Sequence, residues 1–113
     1  MPVKRGEIYL VNWDPAQGSE QAGLRPALVI QNDVGNEYGS TTIVASISTR
    51  YSKIYPFQVL LHAKETGLSS NSVVDFGQII TIDKSGLIKK IGKIKSETIS
   101  AINKAIINSL ELR

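Results

Sequence analysis

Short runs of β-forming residues, each closed by a turn, are the feature that most limits what this chain can fold into. Residues 6–14 alternate between two faces, which is typical of a strand. Residues 27–30 are continuously apolar and end at a polar turn, as in a strand buried on both faces. Further strands are predicted at 42–47, 56–61, 72–76 and 78–82. Six short strands favour a β-barrel or a β-sandwich.

The last part of the chain has a helical period instead. Four apolar residues recur at separations of three, four and four positions, which places them on one face of a helix. They are Ile99, Ile102, Ile106 and Leu110. Ser96 is predicted to cap this helix, and Glu97 in its first turn suits the helix dipole. A shorter helical turn is predicted after Asp83.

Size and composition restrict the classes of site that the chain can hold. A length of 113 residues fits one domain, which we expect to span 1–113. The absence of cysteine excludes disulfides, thiol nucleophiles and thiolate metal sites. The first residues lack the apolar run of a signal peptide, so we expect a cytoplasmic protein with no membrane contact. A net charge of +3 permits an anionic partner without requiring one.

A long polar segment, residues 14–24, joins the first two predicted strands. Hairpin connections usually need only about two to five residues, so the extra length favours a binding loop over a tolerated insertion. Arg25 and Pro26 follow at its end, and the proline ring restricts Arg25 to an extended conformation where the loop enters a strand. A guanidinium held there suits phosphate, because its parallel donors match the phosphate oxygens.

Four blocks of sequence, in order, resemble the MazF/PemK toxins of bacterial toxin–antitoxin modules. The longest is GSEQAGLRPALVIQND at 18–33, and it is the most specific. The others are KRGEIY at 4–9, IVASIS at 43–48 and QIITID at 78–83. The resemblance extends from the N-terminus through the last helix.

The resemblance implies both a fold and an activity. The fold is a mainly β, SH3-like barrel of the CcdB/MazF type with short helices and a C-terminal amphipathic helix. The activity is sequence-selective cleavage of single-stranded RNA by a homodimer that a cognate antitoxin inhibits. Attack of the ribose 2′-hydroxyl on the adjacent phosphate would leave a 2′,3′-cyclic phosphate and a 5′-hydroxyl. DNA lacks this nucleophile and is not expected to be cut.

The resemblance also implies site residues. Arg25 matches the catalytic arginine of the family, and Ser48 takes the position where the family usually has threonine. Thr49 is the alternative if the register is shifted by one, and strand alternation predicts that only one of the two reaches the site. The implied RNA-binding residues are Gln17, Ser19, Glu20, Gln21, Asn32 and Gln78. Gly77 and Ile80 replace an acidic residue and an arginine found in many relatives.

Other groups are weaker candidates for chemistry. His62 is the only histidine, and we expect it to be a solvent-facing residue. Asp75 and Asp83 lack the clustered partners of a metal site, so we predict no metal, no cofactor and activity in the presence of a chelator. Residues 50–55 interleave cations and aromatic rings and either bind RNA or form a solvated loop. Trp13 is expected to pack in the barrel.

Two alternatives keep the fold without the catalysis. Toxins of the CcdB type bind a topoisomerase through an aromatic C-terminal ending, whereas this chain ends Leu110-Glu111-Leu112-Arg113. A noncatalytic RNA-binding barrel is the other, and it would bind RNA without producing cleaved ends.

Overall fold

The computed structural model describes residues 2–13 and 23–112. It contains six strands, three α-helices and two short 3₁₀ turns. The strands are β1 (Glu7–Asn12), β2 (Leu24–Val29), β3 (Thr41–Ser48), β4 (Gln58–Leu61), β5 (Ser72–Asp83) and β6 (Leu87–Lys93). The helices are α1 (Asp33–Tyr38), α2 (Ala63–Thr66) and α3 (Ile99–Leu110), and the turns are Lys84–Gly86 and Ser96–Thr98.

All six strands form one antiparallel sheet in the order β4-β5-β3-β2-β1-β6. This confirms the mainly β prediction and the C-terminal helix. Among the described residues, the sheet is not closed by hydrogen bonds, because β4 and β6 are its two edges. The predicted barrel is therefore an open sheet at the level of backbone pairing.

The sheet nevertheless curves around the larger of two apolar clusters. One cluster contains buried residues from β1 to β5, the half-buried Ile91 of β6, and Ile102 and Ala105 of α3. A flat sheet cannot bring both of its edges to one cluster, so β4 and β6 curl towards each other around α3. A second, smaller cluster on the opposite face contains Trp13, which confirms the expected packing of this residue.

A short helical connection fills the gap between the two sheet edges. Gly67 ends α2 in the left-handed region (φ 90°) and lies against Ile91 and Gly92 of β6. A Cβ at Gly92 would overlap the carbonyl oxygen of Thr66, so only glycine fits there. Nearby, Lys95 Nζ bonds Glu65 Oε2 at 2.9 Å. The edges are thus joined by packing and an ion pair rather than by a β-ladder.

Two strand predictions were wrong. The predicted strands 72–76 and 78–82 are one strand, β5, because an irregularity in its pairing with β3 takes up the residues between Asp75 and Ile79. The Gly77 N–H donates to Asp75 Oδ1 across this irregularity. Strand β6 was not predicted, since its lysines and Gly92 interrupt the apolar pattern. Strand β2 also begins earlier than predicted, at Leu24.

The helices differ from prediction mainly at their starts. The α3 helix begins at Ile99 after the 3₁₀ turn, so Ser96 starts that turn and does not cap the helix. Leu110 is half exposed, whereas Ile102 is buried. The short helix α1 was not expected, and its cap is Asn32, whose side chain accepts from the Gly35 N–H. None of the described helices is long and apolar enough to span a membrane.

Candidate active site

Arg25 lies at the entry of β2, opposite Val11 of β1. Pro26 follows it and has no N–H to donate, and the ladder between β2 and β3 starts only at Ala27. The sheet therefore opens beside Arg25, whose side chain is half-buried. The extended conformation predicted from the Arg-Pro pair agrees with its place in the strand.

Ser48 is the last residue of β3 and stands close to Arg25. Ala27 pairs with Ser46 in the β2–β3 ladder. Arg25 lies two residues before Ala27 on β2, and Ser48 lies two residues after Ser46 on β3. The same register, continued by two residues, would place Arg25 and Ser48 opposite each other. Positions paired across antiparallel strands have Cα atoms about 4.5–5.5 Å apart and share a face of the sheet.

The two residues line a surface groove of about 250 Å³. One wall comes from the start of β2, the second from the end of β3 and the residues after it, and the third from the connection between α2 and β5. The lining residues are Leu24, Arg25, Pro26, Ile47, Ser48, Thr49, Arg50, Leu68, Ser69 and Ser72. None of these ten described residues is acidic, and two of them are arginines.

Ser48 and Thr49 both line the groove. Because β3 ends at Ser48, strand alternation does not continue to Thr49. Which of the two hydroxyls acts in the site stays a prediction. The Ser48 Oγ accepts from the Arg50 N–H at 2.9 Å. A hydroxyl that accepts one hydrogen bond still has its own hydrogen to donate, which leaves Ser48 able to bind an anionic oxygen.

The third wall contains groove residues that sequence reasoning missed. Leu68, Ser69 and Ser72 reach the groove because Val73 pairs with Ser48 and brings the start of β5 to the end of β3. No local pattern reveals this pairing, since the two segments are separated by more than twenty residues. Arg50 was noted in the sequence as part of a basic and aromatic loop, and the structure places it at the groove.

The other predicted site residues lie elsewhere or outside the described ranges. Gln17, Ser19, Glu20 and Gln21 fall within 14–22, which are not described. Neither Asn32 nor Gln78 lines the groove, and the Asn32 side chain caps α1. Gln78 is exposed near the irregular part of β5. His62 is exposed at the N-cap position of α2, as expected.

The segment after Arg50 carries a small aromatic stack. Tyr55 and Phe57 lie nearly parallel, with ring centroids 5.6 Å apart and planes inclined by 8°. Lys53 Nζ lies 5.1 Å from the centre of the Tyr55 ring. Within residues 2–13 and 23–112, no three histidine, aspartate or glutamate side chains are grouped to hold a metal ion.

The fold of this open, curled sheet is shared with solved toxin structures. It is similar to the Mycobacterium tuberculosis toxin MazF-mt6, with a TM-score of 0.81 and 25% identity over 95% of this chain and 98% of that chain. It also resembles a MazE-MazF structure (Form-II) from Deinococcus radiodurans, with a TM-score of 0.79, 24% identity, and coverage of 100% and 99%. The second likeness concerns the fold alone.

The chain belongs to the PemK-like, MazF-like toxins of type II toxin-antitoxin systems, whose family model matches residues 4–110. It is 43% identical over 113 residues to endoribonuclease EndoA of Bacillus subtilis (strain 168), covering 99% of this chain and 97% of that relative. The family predicted from the sequence blocks is therefore confirmed.

Proposed function

We propose that this protein is an endoribonuclease toxin that cuts single-stranded RNA selectively and without a metal ion. The observation that carries the proposal is the groove in which Arg25 and the Ser48 hydroxyl lie together with no acidic side chain among its described lining. The two arginines attract the negatively charged phosphodiester, and none of the described lining side chains carries a negative charge that would repel it. The 43% identity to a protein named as an endoribonuclease supports the same reaction class.

Arg25 is the group that stabilises the transition state. The 2′-hydroxyl loses its proton to water and its oxygen attacks the adjacent phosphorus while the bond to the 5′-oxygen breaks. The 5′-oxygen takes a proton from water, which yields a 2′,3′-cyclic phosphate and a free 5′-hydroxyl. Negative charge grows on the nonbridging oxygens during this step. A guanidinium fixed beside them binds that charge more strongly in the transition state than in the ground state.

Ser48 supplies the second contact, with Thr49 as the alternative hydroxyl of the same groove wall. The Arg50 N–H fixes the Ser48 oxygen, so its hydrogen is available to a phosphate oxygen. Neither an arginine nor a serine hydroxyl has a pKa near neutrality, so neither is an efficient general acid or base at pH 7. Charge stabilisation and in-line positioning of the 2′-oxygen supply most of the acceleration.

Base recognition belongs to the polar loop that precedes Arg25 and to two positions outside the groove. Gln17, Ser19, Glu20, Gln21, Asn32 and Gln78 are the proposed RNA-binding residues. Amide and carboxylate groups read the edges of unpaired bases, which is why a single strand is the substrate. Asn32 can donate from Nδ2 in such a contact while its Oδ1 keeps the capping bond from the Gly35 N–H.

Two protein partners complete the proposal. The first is a cognate antitoxin, since one structure of the same fold, with a TM-score of 0.78, is a mycobacterial endoribonuclease in complex with its cognate antitoxin. The second is another copy of this chain in a homodimer. Ile80, Ile88, Leu110 and Leu112 are exposed apolar residues that an assembly would bury. Sedimentation of the purified protein tests the dimer.

The direct test incubates the purified protein with a mixed single-stranded RNA in the presence of chelator and maps the cut sites and end groups. We expect cuts at one short sequence, 2′,3′-cyclic phosphate ends, and no cutting of the matching DNA. Loss of cleavage with chelator would contradict metal independence. Binding without cut ends would instead indicate a noncatalytic RNA-binding barrel, and inhibition of a topoisomerase without RNA cleavage would indicate a CcdB-like activity.

A further inference from the structure

Positive charge is concentrated at one edge of the sheet. Five lysines and no carboxylate lie between Asp83 and Glu97, whereas the rest of the chain has eight Lys and Arg against ten Asp and Glu. Four of the five belong to β6 or follow it directly. Together with Lys4 they form what we call the basic strip: Lys4, Lys89, Lys90, Lys93 and Lys95. All five are exposed.

The basic strip begins beside the candidate active site and continues away from it. Val11 of β1 pairs with Arg25 on one side and with Leu87, the first residue of β6, on the other. Two strand spacings, about 10 Å, therefore separate β6 from Arg25. Lys93 pairs with Glu7 at the other end of β1. Glu7 and Val11 are four residues apart on β1, so the two ends of β6 are separated by roughly 13 Å, with two irregularities of the pairing in between.

Part of the basic strip shares a face of the sheet with Arg25. Tyr9 and Val11 lie two residues apart on β1, so they occupy the same face. Tyr9 pairs with Lys90, and Val11 pairs with Arg25. Paired positions share a face, and Lys90 therefore emerges on the same side of the sheet as Arg25. Glu7 lies two residues before Tyr9 on β1, so Lys93, which pairs with Glu7, also lies on that side.

The far end of the basic strip borders a second groove. This groove has a volume of about 570 Å³, larger than the one at Arg25, and is lined by Lys4, Lys93 and Lys95 among others. Glu7 and Glu97 also line it. Glu7 Oε2 is bound by Lys90 Nζ at 2.9 Å, and Glu65 binds Lys95, so two of the five lysines are paired. Among the described residues, Lys4 and Lys93 form no ion pair.

We infer that the basic strip binds the phosphate backbone of RNA that flanks the bond cut at Arg25. The inference rests on the proposed function and extends it to a second contact outside the active groove. An RNA strand that is bound at Arg25 and continues across β1 meets Lys90 and then Lys93 on the same face of the sheet. Lysines that follow a backbone bind any sequence, so the strip adds affinity without choosing the bases.

Lysines on an edge strand also prevent sheets from pairing edge to edge. The two roles make different predictions. If the lysines only protect the edge, their removal promotes self-association and leaves RNA binding unchanged. If they bind phosphate, their removal weakens RNA binding and makes it less dependent on salt.

The test compares the double variant Lys4→Gln/Lys93→Gln with the control Lys64→Gln/Lys104→Gln, which removes the same charge from exposed positions on α2 and α3. Two RNAs are used: the shortest one that the wild-type protein cuts, and the same RNA lengthened by about ten nucleotides on each side. Binding is measured on forms with a 2′-deoxy nucleotide at the cleaved position. Cleavage is measured on the normal RNAs.

For the long RNA, we expect the Lys4/Lys93 variant to bind about tenfold more weakly at low salt. The slope of log affinity against log salt should fall by about 1.4, because each phosphate contact on a single strand contributes about 0.7. The short RNA should be bound and cut as by the wild type, and the control should keep the full slope.

Three results would overturn the inference. In the first, the Lys4/Lys93 variant and the control have equal slopes. In the second, the variant only self-associates in size-exclusion chromatography. In the third, it loses affinity for an acidic antitoxin segment but not for RNA. If the wild-type protein cuts neither RNA, it is the proposed function that fails, so the two failures are distinguishable.

Discussion

Arg25 is the residue on which the proposed chemistry depends most. Replacing it with alanine removes the charge from the groove, and we expect kcat to fall by about a hundredfold or more. Arg25→Lys keeps the charge but not the paired donors, so it should recover only part of the activity. Initial rates on a short RNA measure both. A loss of less than about tenfold in Arg25→Ala would contradict the assigned role.

Single substitutions also distinguish the roles of Ser48 and Thr49. The β2–β3 register, continued by two residues, would put Ser48 level with Arg25, whereas Thr49 lies beyond the end of β3. We expect Ser48→Ala to lower kcat by roughly tenfold to a hundredfold through the loss of one hydrogen bond to the charged phosphate. Ser48→Thr keeps the hydroxyl and should retain activity. A larger loss in Thr49→Ala than in Ser48→Ala would reverse the assignment.

At the scale of secondary-structure elements, the contact of α2 with β6 requires a glycine at position 92, because a side chain has no room there. Gly92→Ala would force a Cβ into the Thr66 carbonyl oxygen, and we expect it to destabilise the fold by about 1–3 kcal/mol. Gly86→Ala is the matched control, because the nearest atom to its Cβ is the flexible end of Ile82 at 3.7 Å. Urea denaturation measures both variants. Equal stabilities would mean that α2 does not pack closely against β6.

The pairing of β1 with β6 also includes a carboxylate whose protonation affects stability. Burial alone would raise the pKa of Glu7, but hydrogen bonds from the Lys4 N–H, Lys90 and Tyr9 lower it below its ordinary value of 4.5. A lowered pKa in the folded state means that the stabilisation is present above the unfolded pKa. It is lost as pH falls through the folded value.

Glu7→Gln therefore should cost about 1 kcal/mol of unfolding free energy at pH 7, the usual contribution of such a bond. The difference from the wild type should shrink as the pH is lowered below 4.5 and through the lowered pKa of the folded state. Denaturation at pH 7 and at pH 3 measures the difference in unfolding free energy between the variant and the wild type at each pH. Glu37→Gln, at an exposed position on α1, is the control and should change little. A difference that grows in acid would contradict the assignment.

At the scale of the whole molecule, the curled sheet separates two kinds of surface. Its inner face holds the core that all six strands share with α3, so stability resides there. The groove with Arg25 lies where β2 enters the sheet, and the lysine-rich β6 edge lies two strands away. Charge can be changed on these surfaces without disturbing the core, which is why the lysine variants above are expected to fold.

The sequence by itself determined the features that depend on near neighbours. A strand alternates every two residues and a helix repeats every 3.6, so β1 and α3 were predicted from their periods, and β3 and β4 from short runs of strand-forming residues. The extended entry at Arg25 followed from Pro26 alone. The ordered blocks identified the family. These features involve residues a few positions apart, and their physics is visible in any short window of the chain.

Only the tertiary structure decided which segments meet. Strand β6 has no clear period, and it became a strand because β1 offers it hydrogen-bonding partners. The pairing of Ser48 with Val73 brought the third wall to the groove. The merging of two predicted strands into β5 depended on its irregular pairing with β3. Contacts of this kind depend on the shape of the entire sheet, which no short window of sequence contains.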